Sequence, residues 1–245
     1  IEPVSYDGAW VTPWKIHPEN NNLIVAGYDE VYRSLTAGSV WSSIPYGQEI
    51  KTIALAASNE DYIYAGTYTS LKVTKDASTG ANWTNITPGL PNYSFTDVTV
   101  SNSNPDRVWV TLSGYTAAHK VYESIDGGLN WVNITATGLP NLPVNCIVYQ
   151  EGTNDDLYVG TDVGVYYKNN TMTNWVSYMT GMPNVVVREL EIHYTAGTIS
   201  ASTYGRGIWE SPVNTISTNV YEAAAEQFKI YPNPAQNKIT ININN

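Results

Sequence analysis

The sequence predicts an all-β protein: a β-propeller assembled from four-stranded antiparallel blades. Three observations carry that expectation. Tryptophan recurs at Trp41, Trp83, Trp131 and Trp175, at spacings of 42, 48 and 44 residues. Ahead of each lie short segments in which apolar and polar residues alternate between Gly, Pro, Asn and Asp turns, the pattern of short antiparallel strands. The composition, 19 Tyr and 8 Trp with 14% charged residues, suits pleated, half-buried surfaces on which aromatic and β-branched side chains pack. Four strands repeated at roughly 45 residues is the sequence signature of propeller blades. A β-sandwich would not explain the regular Trp spacing, and long helical periodicity is absent.

Blades are expected at 10–47, 48–92, 93–141, 142–184 and 185–213. The first carries "LIVAGYDEVYRS" ahead of Trp41 and the second "YIYAGTYTSLKVT" ahead of Trp83. The third is the fullest, with strands in "FTDVTVS", "RVWVTLSG", "HKVYESI" and "WVNITA". The fourth places "LYVGTDVGVYYK" before Trp175. Polar stretches ending in Gly/Pro turns, such as "NITPGLPN" and "SYMTGMPN", separate the units. The fifth offers three strands, "VRELEIHY", "TISASTYG" and "GIWESPV", and no Trp-closed turn. A last blade of this kind is completed when a strand from the other end of the ring covers its open edge. Five blades either close a small ring around residues 1–9 or form the C-terminal part of a larger propeller; the abrupt start at Ile1 favours the larger ring.

The turn before Trp131 contains Ser124, Asp126 and Gly128 in "YESIDGGLNW". A short Asp side chain accepts bonds from backbone N–H groups one to three residues ahead and closes a turn. Gly128 permits a positive φ, and Trp131 is placed to pack beneath. The spacing S-x-D-x-G-x-x-W resembles the Asp-box of the sialidase-like BNR repeat families, and the resemblance covers residues 10–213. In the first copy Ser34, Gly38 and Trp41 keep their places while Thr36 replaces the Asp. In the second Asp76 and Trp83 flank a two-residue insertion, and in the fourth Asn170 stands at the Asp position before Trp175. The resemblance implies that the box is structural and lies at the blade periphery, away from a catalytic face. The phrases "PWKIHPENNNLIVAG" and "TYGRGIWES" resemble more specifically secreted propellers of Bacteroidetes, of sortilin-N-terminal-like or xyloglucanase-like type. That group carries no single activity.

Beyond the blades, 214–227 is polar and Ala-rich and reads as a linker. Residues 228–245, "FKIYPNPAQNKITININN", resemble the start of the type A C-terminal sorting domain of the type IX secretion system, a β-sandwich-type domain here cut short. Tyr231, Pro232, Asn233 and Pro234 match its opening. The resemblance implies export through the periplasm to the cell surface or medium, with the translocon and its shuttle as partners of the tail.

Few residues point to chemistry. A net charge of −10, with 12 basic residues scattered singly, excludes a nucleic-acid surface. No apolar run spans a bilayer. The three His share no metal spacing, the single Cys146 reads as a buried inert thiol, and no cofactor motif is present. The four Arg residues (33, 107, 188, 206) carry no sialidase R-I-P motif. Glycosidases need two nearby carboxylates, for which Asp97 and Glu189 are the candidates, in comparable first-strand positions. Asp29, Asp162 and Glu191 are further carboxylates on inner strands or their loops. Trp10, Trp14, Trp109 and Tyr204 lie outside the box positions and are candidate contacts for a polysaccharide or a surface protein. The expected function is a non-enzymatic binding or structural module of a larger exported protein. The alternative is a xyloglucanase-like glycoside hydrolase whose cleft these blades partly form.

Overall fold

The structure, a computed structural model, describes residues 3, 8–80 and 82–214, together with the backbone of strands 229–231 and 240–242. The chain divides into two units, 1–213 and 214–245. Every regular element among the described residues is a β-strand.

The first unit is a five-bladed β-propeller. Blade 1 comprises β1 (Trp14–His17), β2 (Asn20–Gly27), β3 (Val31–Ser34) and β4 (Ser42–Ile44). Blade 2 comprises β5 (Thr52–Leu55), β6 (Ile63–Gly66), β7 (Leu71–Thr74) and β8 (Thr84–Asn85). Blade 3 comprises β9 (Phe95–Val100), β10 (Val108–Leu112), β11 (Val121–Ser124) and β12 (Val132–Asn133). Blade 4 comprises β13 (Val144–Gln150), β14 (Asp156–Thr161), β15 (Gly164–Lys168) and β16 (Val176–Ser177). Among the described residues blade 5 has three strands: β17 (Val187–His193), β18 (Thr198–Thr203) and β19 (Ile208–Pro212). Strands pair antiparallel in sequence order within each blade, so each sheet is a meander running outward from its first strand. All five fall inside the limits read from the Trp period.

Alternation along each strand sends side chains to two faces of the blade. The face toward the preceding blade carries Ile53, Leu55, Ile63 and Ala65 in blade 2, where Ile53 pairs with Ala65 and Leu55 with Ile63. Val98, Val100, Val108 and Val110 hold the same places in blade 3, and Ile147, Tyr149, Leu157 and Val159 in blade 4. Each set packs on the blade before it, giving one apolar core per interface; Leu23, Val25 and Val31 of blade 1 close on Ile53, Ile63 and Ala65, for example. Burying a side chain of this size contributes about 1.5–3 kcal/mol relative to leaving it exposed, so the interfaces rather than the small sheets hold the ring.

Polar links add to this packing at the turns between first and second strands. Arg33 lies 3.7 Å from Asp61, Lys75 2.7 Å from Asp106 and Arg107 2.8 Å from Asp155, each pair joining one blade to the next. At the turn before Trp131, Gly128 sits at φ +90, and a Cβ there would lie 2.6 Å from Ile86 Cδ1 of the preceding blade, so only glycine fits.

In the second unit, β20 (Lys229–Tyr231) pairs antiparallel with β21 (Thr240–Asn242). Pro232, Asn233 and Pro234, and the linker beyond Asn214, lie outside the described residues.

Candidate functional site

A meander gives the propeller two unlike ends. At one end the first strands begin and second strands turn into third strands. At the other lie the turns between first and second strands and the Asp-type turns before the Trp residues.

Around the axis at the first end, Thr52, Asp97, Cys146 and Glu189 occupy equivalent positions, each paired with a second-strand residue (Gly66, Thr111, Gly160 and Ser202). The Asp97 carboxylate accepts from Thr52 Oγ1 at 2.9 Å and from the Val98 N–H at 2.9 Å on one oxygen. Its other oxygen accepts from the Ile147 N–H at 3.0 Å. One carboxylate therefore ties the first strands of blades 2, 3 and 4. Desolvation raises its pKa, opposed by the charge of Lys15 and by these three donors. Lys15 Nζ also stands 3.9 Å from the exposed Glu189 carboxylate. Asp162 accepts from Asn145 Nδ2 at 3.0 Å, and the same amide donates to the Val187 carbonyl of blade 5. The Cys146 thiol is buried, and desolvation pushes its pKa up. Asp97 and Glu189 thus share a ring of positions and a common cation. A hydrolytic pair, however, must present one carboxyl able to give up a proton, and both Asp97 oxygens face donors of the protein itself.

The outer part of the same end is aromatic. Trp10 is fully exposed, Tyr204 is 74% exposed, and Tyr68 and Tyr115 project from the turns of blades 2 and 3. Lys51 Nζ lies 4.6 Å from the Tyr68 ring centre. Trp14 is 60% exposed, but its pairing with Ala26 puts it on the face of blade 1 that looks away from blade 2. Trp109 corrects the sequence expectation. It is fully buried, stacked on Tyr149 of blade 4 at 5.2 Å and 14°, with the Arg107 guanidinium 5.4 Å from its ring. Strand alternation places it on the core face of β10, so it contributes packing and touches no ligand.

The opposite end holds a cavity of about 400 Å3 lined by Glu19, Ser58, Asn102, Tyr149, Glu151 and Thr153. Tyr149 comes from β13 and the others from the first turns of four blades, and nothing in their local sequence marks them as neighbours. At the rim of this end the Asp126 carboxylate accepts from Ser124 Oγ (2.8 Å), the Asn130 N–H (2.9 Å) and Asn130 Nδ2 (2.7 Å). The backbone N–H groups of Leu129 and Asn130, three and four residues ahead, both bond the carboxylate, so the turn extends one residue beyond the reach predicted. These donors hold its pKa down to about 2. Asp76 repeats the arrangement with Thr74 and Asn82 across the insertion, and Thr36 accepts from the Val40 N–H in the first copy. In the fourth, Asn170 instead donates to Asp155. Trp131 Nε1 donates to the Ile86 carbonyl and Trp175 Nε1 to that of Ile134, each in the preceding blade.

Arg33 and Arg107 are engaged in the links between blades. No group of three or more His, Cys, Asp and Glu side chains that could hold a metal occurs among the described residues. No described helix is long and apolar enough to cross a membrane.

Fold and site together define the class as a β-propeller with an aromatic rim and a polar axis. An ancestral GH74 enzyme superposes with a TM-score of 0.63 at 19% identity, over 80% of this chain and 28% of that one. The GH74 enzyme of Niastella koreensis gives 0.64 at 13% identity, over 84% and 36%. The Cps50 (Swd1) β-propeller domain of Myceliophteria thermophila gives 0.66 at 11% identity, over 88% and 69%. Likeness at these identities shows the fold alone, and the chain spans about a third of the length of the two GH74 enzymes. No family model and no curated protein sequence matches the chain.

Proposed function

We propose that this chain is a non-enzymatic carbohydrate-binding module of a larger secreted or cell-surface protein. The observation that carries the reading is the collection of exposed aromatic side chains (Trp10, Tyr68, Tyr115 and Tyr204) at one end of the propeller. Flat rings with a polar edge stack on sugar faces while remaining hydrated. The S-x-D-x-G-x-x-W turns, read as Asp-boxes of BNR repeats, belong to the scaffold. The Y-P-N-P segment supports export through the periplasm by a type IX system, with the translocon and shuttle engaging the tail and a Bacteroidetes origin. Affinity electrophoresis against soluble plant and microbial polysaccharides tests the binding. The expected result is retardation by at least one polysaccharide, lost in a Trp10→Ala/Tyr204→Ala double variant that melts at the wild-type temperature. Unchanged retardation in that variant, or none with any polysaccharide, overturns the reading.

Glycoside hydrolysis is the second reading, favoured by the likeness to GH74 structures and by the placing of Asp97 and Glu189 around Lys15. Hydrolysis of xyloglucan that disappears in Glu189→Gln, with the fold intact, would establish it.

A further inference from the structure

Every interface between consecutive blades uses one pattern. The later blade contributes two first-strand residues and two second-strand residues of a single face: Ile53, Leu55, Ile63 and Ala65 in blade 2, with their counterparts in blades 3 and 4. The Trp closing that blade covers the outer part of the contact. Blade 1 presents the same set. Trp14 pairs with Ala26 and Ile16 with Ile24, on one face with Trp41 at its outer edge. Here Trp14 remains 60% and Ile16 46% exposed. The Trp41 Nε1–H is buried without an acceptor, as is that of Trp83 in the sealed interface of blades 1 and 2, whereas Trp131 and Trp175 donate to a carbonyl just beyond the fourth strand of the blade before.

The face of blade 5 that looks away from blade 4 is of a different kind. In blades 1 to 4 the central second-strand residue of this face is Val25, Tyr64, Trp109 or Tyr158, all fully buried. In blade 5 it is Ser200, paired with Glu191 on one side and Glu210 on the other, both exposed. Among the described residues blade 5 has no fourth strand. An apolar face set against two carboxylates would leave charges facing hydrocarbon, which costs free energy unless they are paired. Among the described residues, the one ion pair that joins the two blades, Lys15 with Glu189, is exposed.

We infer that the Trp14–Ile16–Ile24–Trp41 face of blade 1 is a docking surface for an additional four-stranded blade of this repeat, preceding blade 1 in the same polypeptide. Its occupant has an apolar outward face centred on a residue like Tyr64 or Trp109. The acidic face of blade 5 caps the other side of the assembly, as polar outer faces do in terminal repeats. A second copy of the chain is a poor occupant in the same head-to-tail sense, since the matching face it exposes is that acidic one. The surface is independent of the ligand-binding reading, because Trp14 stands apart from the aromatic rim.

The test joins a duplicate of blade 3 (residues 93–141) ahead of Gly8 and compares this longer chain with the 245-residue protein. The expected result is a melting temperature higher by about 5 °C or more and loss of bis-ANS fluorescence. Both effects should vanish when the duplicate carries glutamate at its position equivalent to Trp109. In the 245-residue protein, Trp14→Ser/Ile16→Ser should reduce bis-ANS binding and leave the melting temperature nearly unchanged, whereas Ile53→Ser, in a sealed interface, should lower it. Three outcomes overturn the inference: unchanged bis-ANS fluorescence on adding the blade, a loss of stability in Trp14→Ser/Ile16→Ser matching that of Ile53→Ser, or a dimer by light scattering that Trp14→Ser dissociates.

Discussion

At the scale of single residues, Asp126 shows how a carboxylate is read from its partners. Three donors satisfy it at the rim, far from the axis, and hold its pKa down to about 2. A depressed carboxylate stabilises the fold above its unfolded pKa and loses that contribution as pH falls through the folded value. Asp126→Ala should therefore lower the melting temperature at pH 7 and leave ligand binding unchanged. The difference from wild type should fade between about pH 4 and pH 2, in the interval below the ordinary Asp value. Thermal scans across that range check it, and a difference independent of pH would contradict the assignment. Ala37 offers a second residue-scale case. It holds φ +50 in the first copy of the turn, where the third copy has Gly127 at φ +74. Relief of left-handed strain outweighs the added freedom of glycine in the unfolded chain. Ala37→Gly should then stabilise by about 0.5–1 kcal/mol, measured by urea unfolding.

At the scale of elements, the first strands act together through Asp97. Removing its side chain leaves the Ile147 N–H and Thr52 Oγ1 without their partner at the axis. A buried donor left unsatisfied costs about 1–3 kcal/mol, partly offset because a desolvated carboxylate is removed as well. Asp97→Ala should thus destabilise blades 2, 3 and 4 together, visible as coordinated loss of amide protection in β5, β9 and β13. Polysaccharide binding should persist at temperatures where the variant is folded. Protection lost in β9 alone would show that the carboxylate does not couple the blades. The links Arg33–Asp61, Lys75–Asp106 and Arg107–Asp155 repeat this logic further out. They were not legible in the sequence, because each joins a strand or turn to the turn between first and second strands one repeat onward, with no marker beyond ordinary charge.

At the scale of the whole molecule, the interfaces between blades carry the stability, and the two ends of the propeller carry different chemistry. One end gathers aromatic rings around a polar axis, and the other encloses a cavity between first turns with Glu19 and Glu151 in its lining. A ligand that stacks on the aromatic end should protect Trp10 from collisional quenchers and leave the buried Trp109 unaffected. Fluorescence quenching with and without polysaccharide measures this.

The amino-acid sequence determined the class of fold, the blade limits and the rim turns, since strand alternation, turn chemistry and a repeated Trp are local patterns that survive without knowledge of neighbours. It also placed Asp97 and Glu189 in comparable positions, because equivalence within a repeat is a matter of counting. The tertiary structure alone decided which side chains face a partner blade and which face water. Trp14 and Trp109 are the same residue type on blade strands, yet one is 60% exposed and the other fully enclosed. A one-residue change of parity along a strand separates those outcomes, and only packing against the next blade sets that parity.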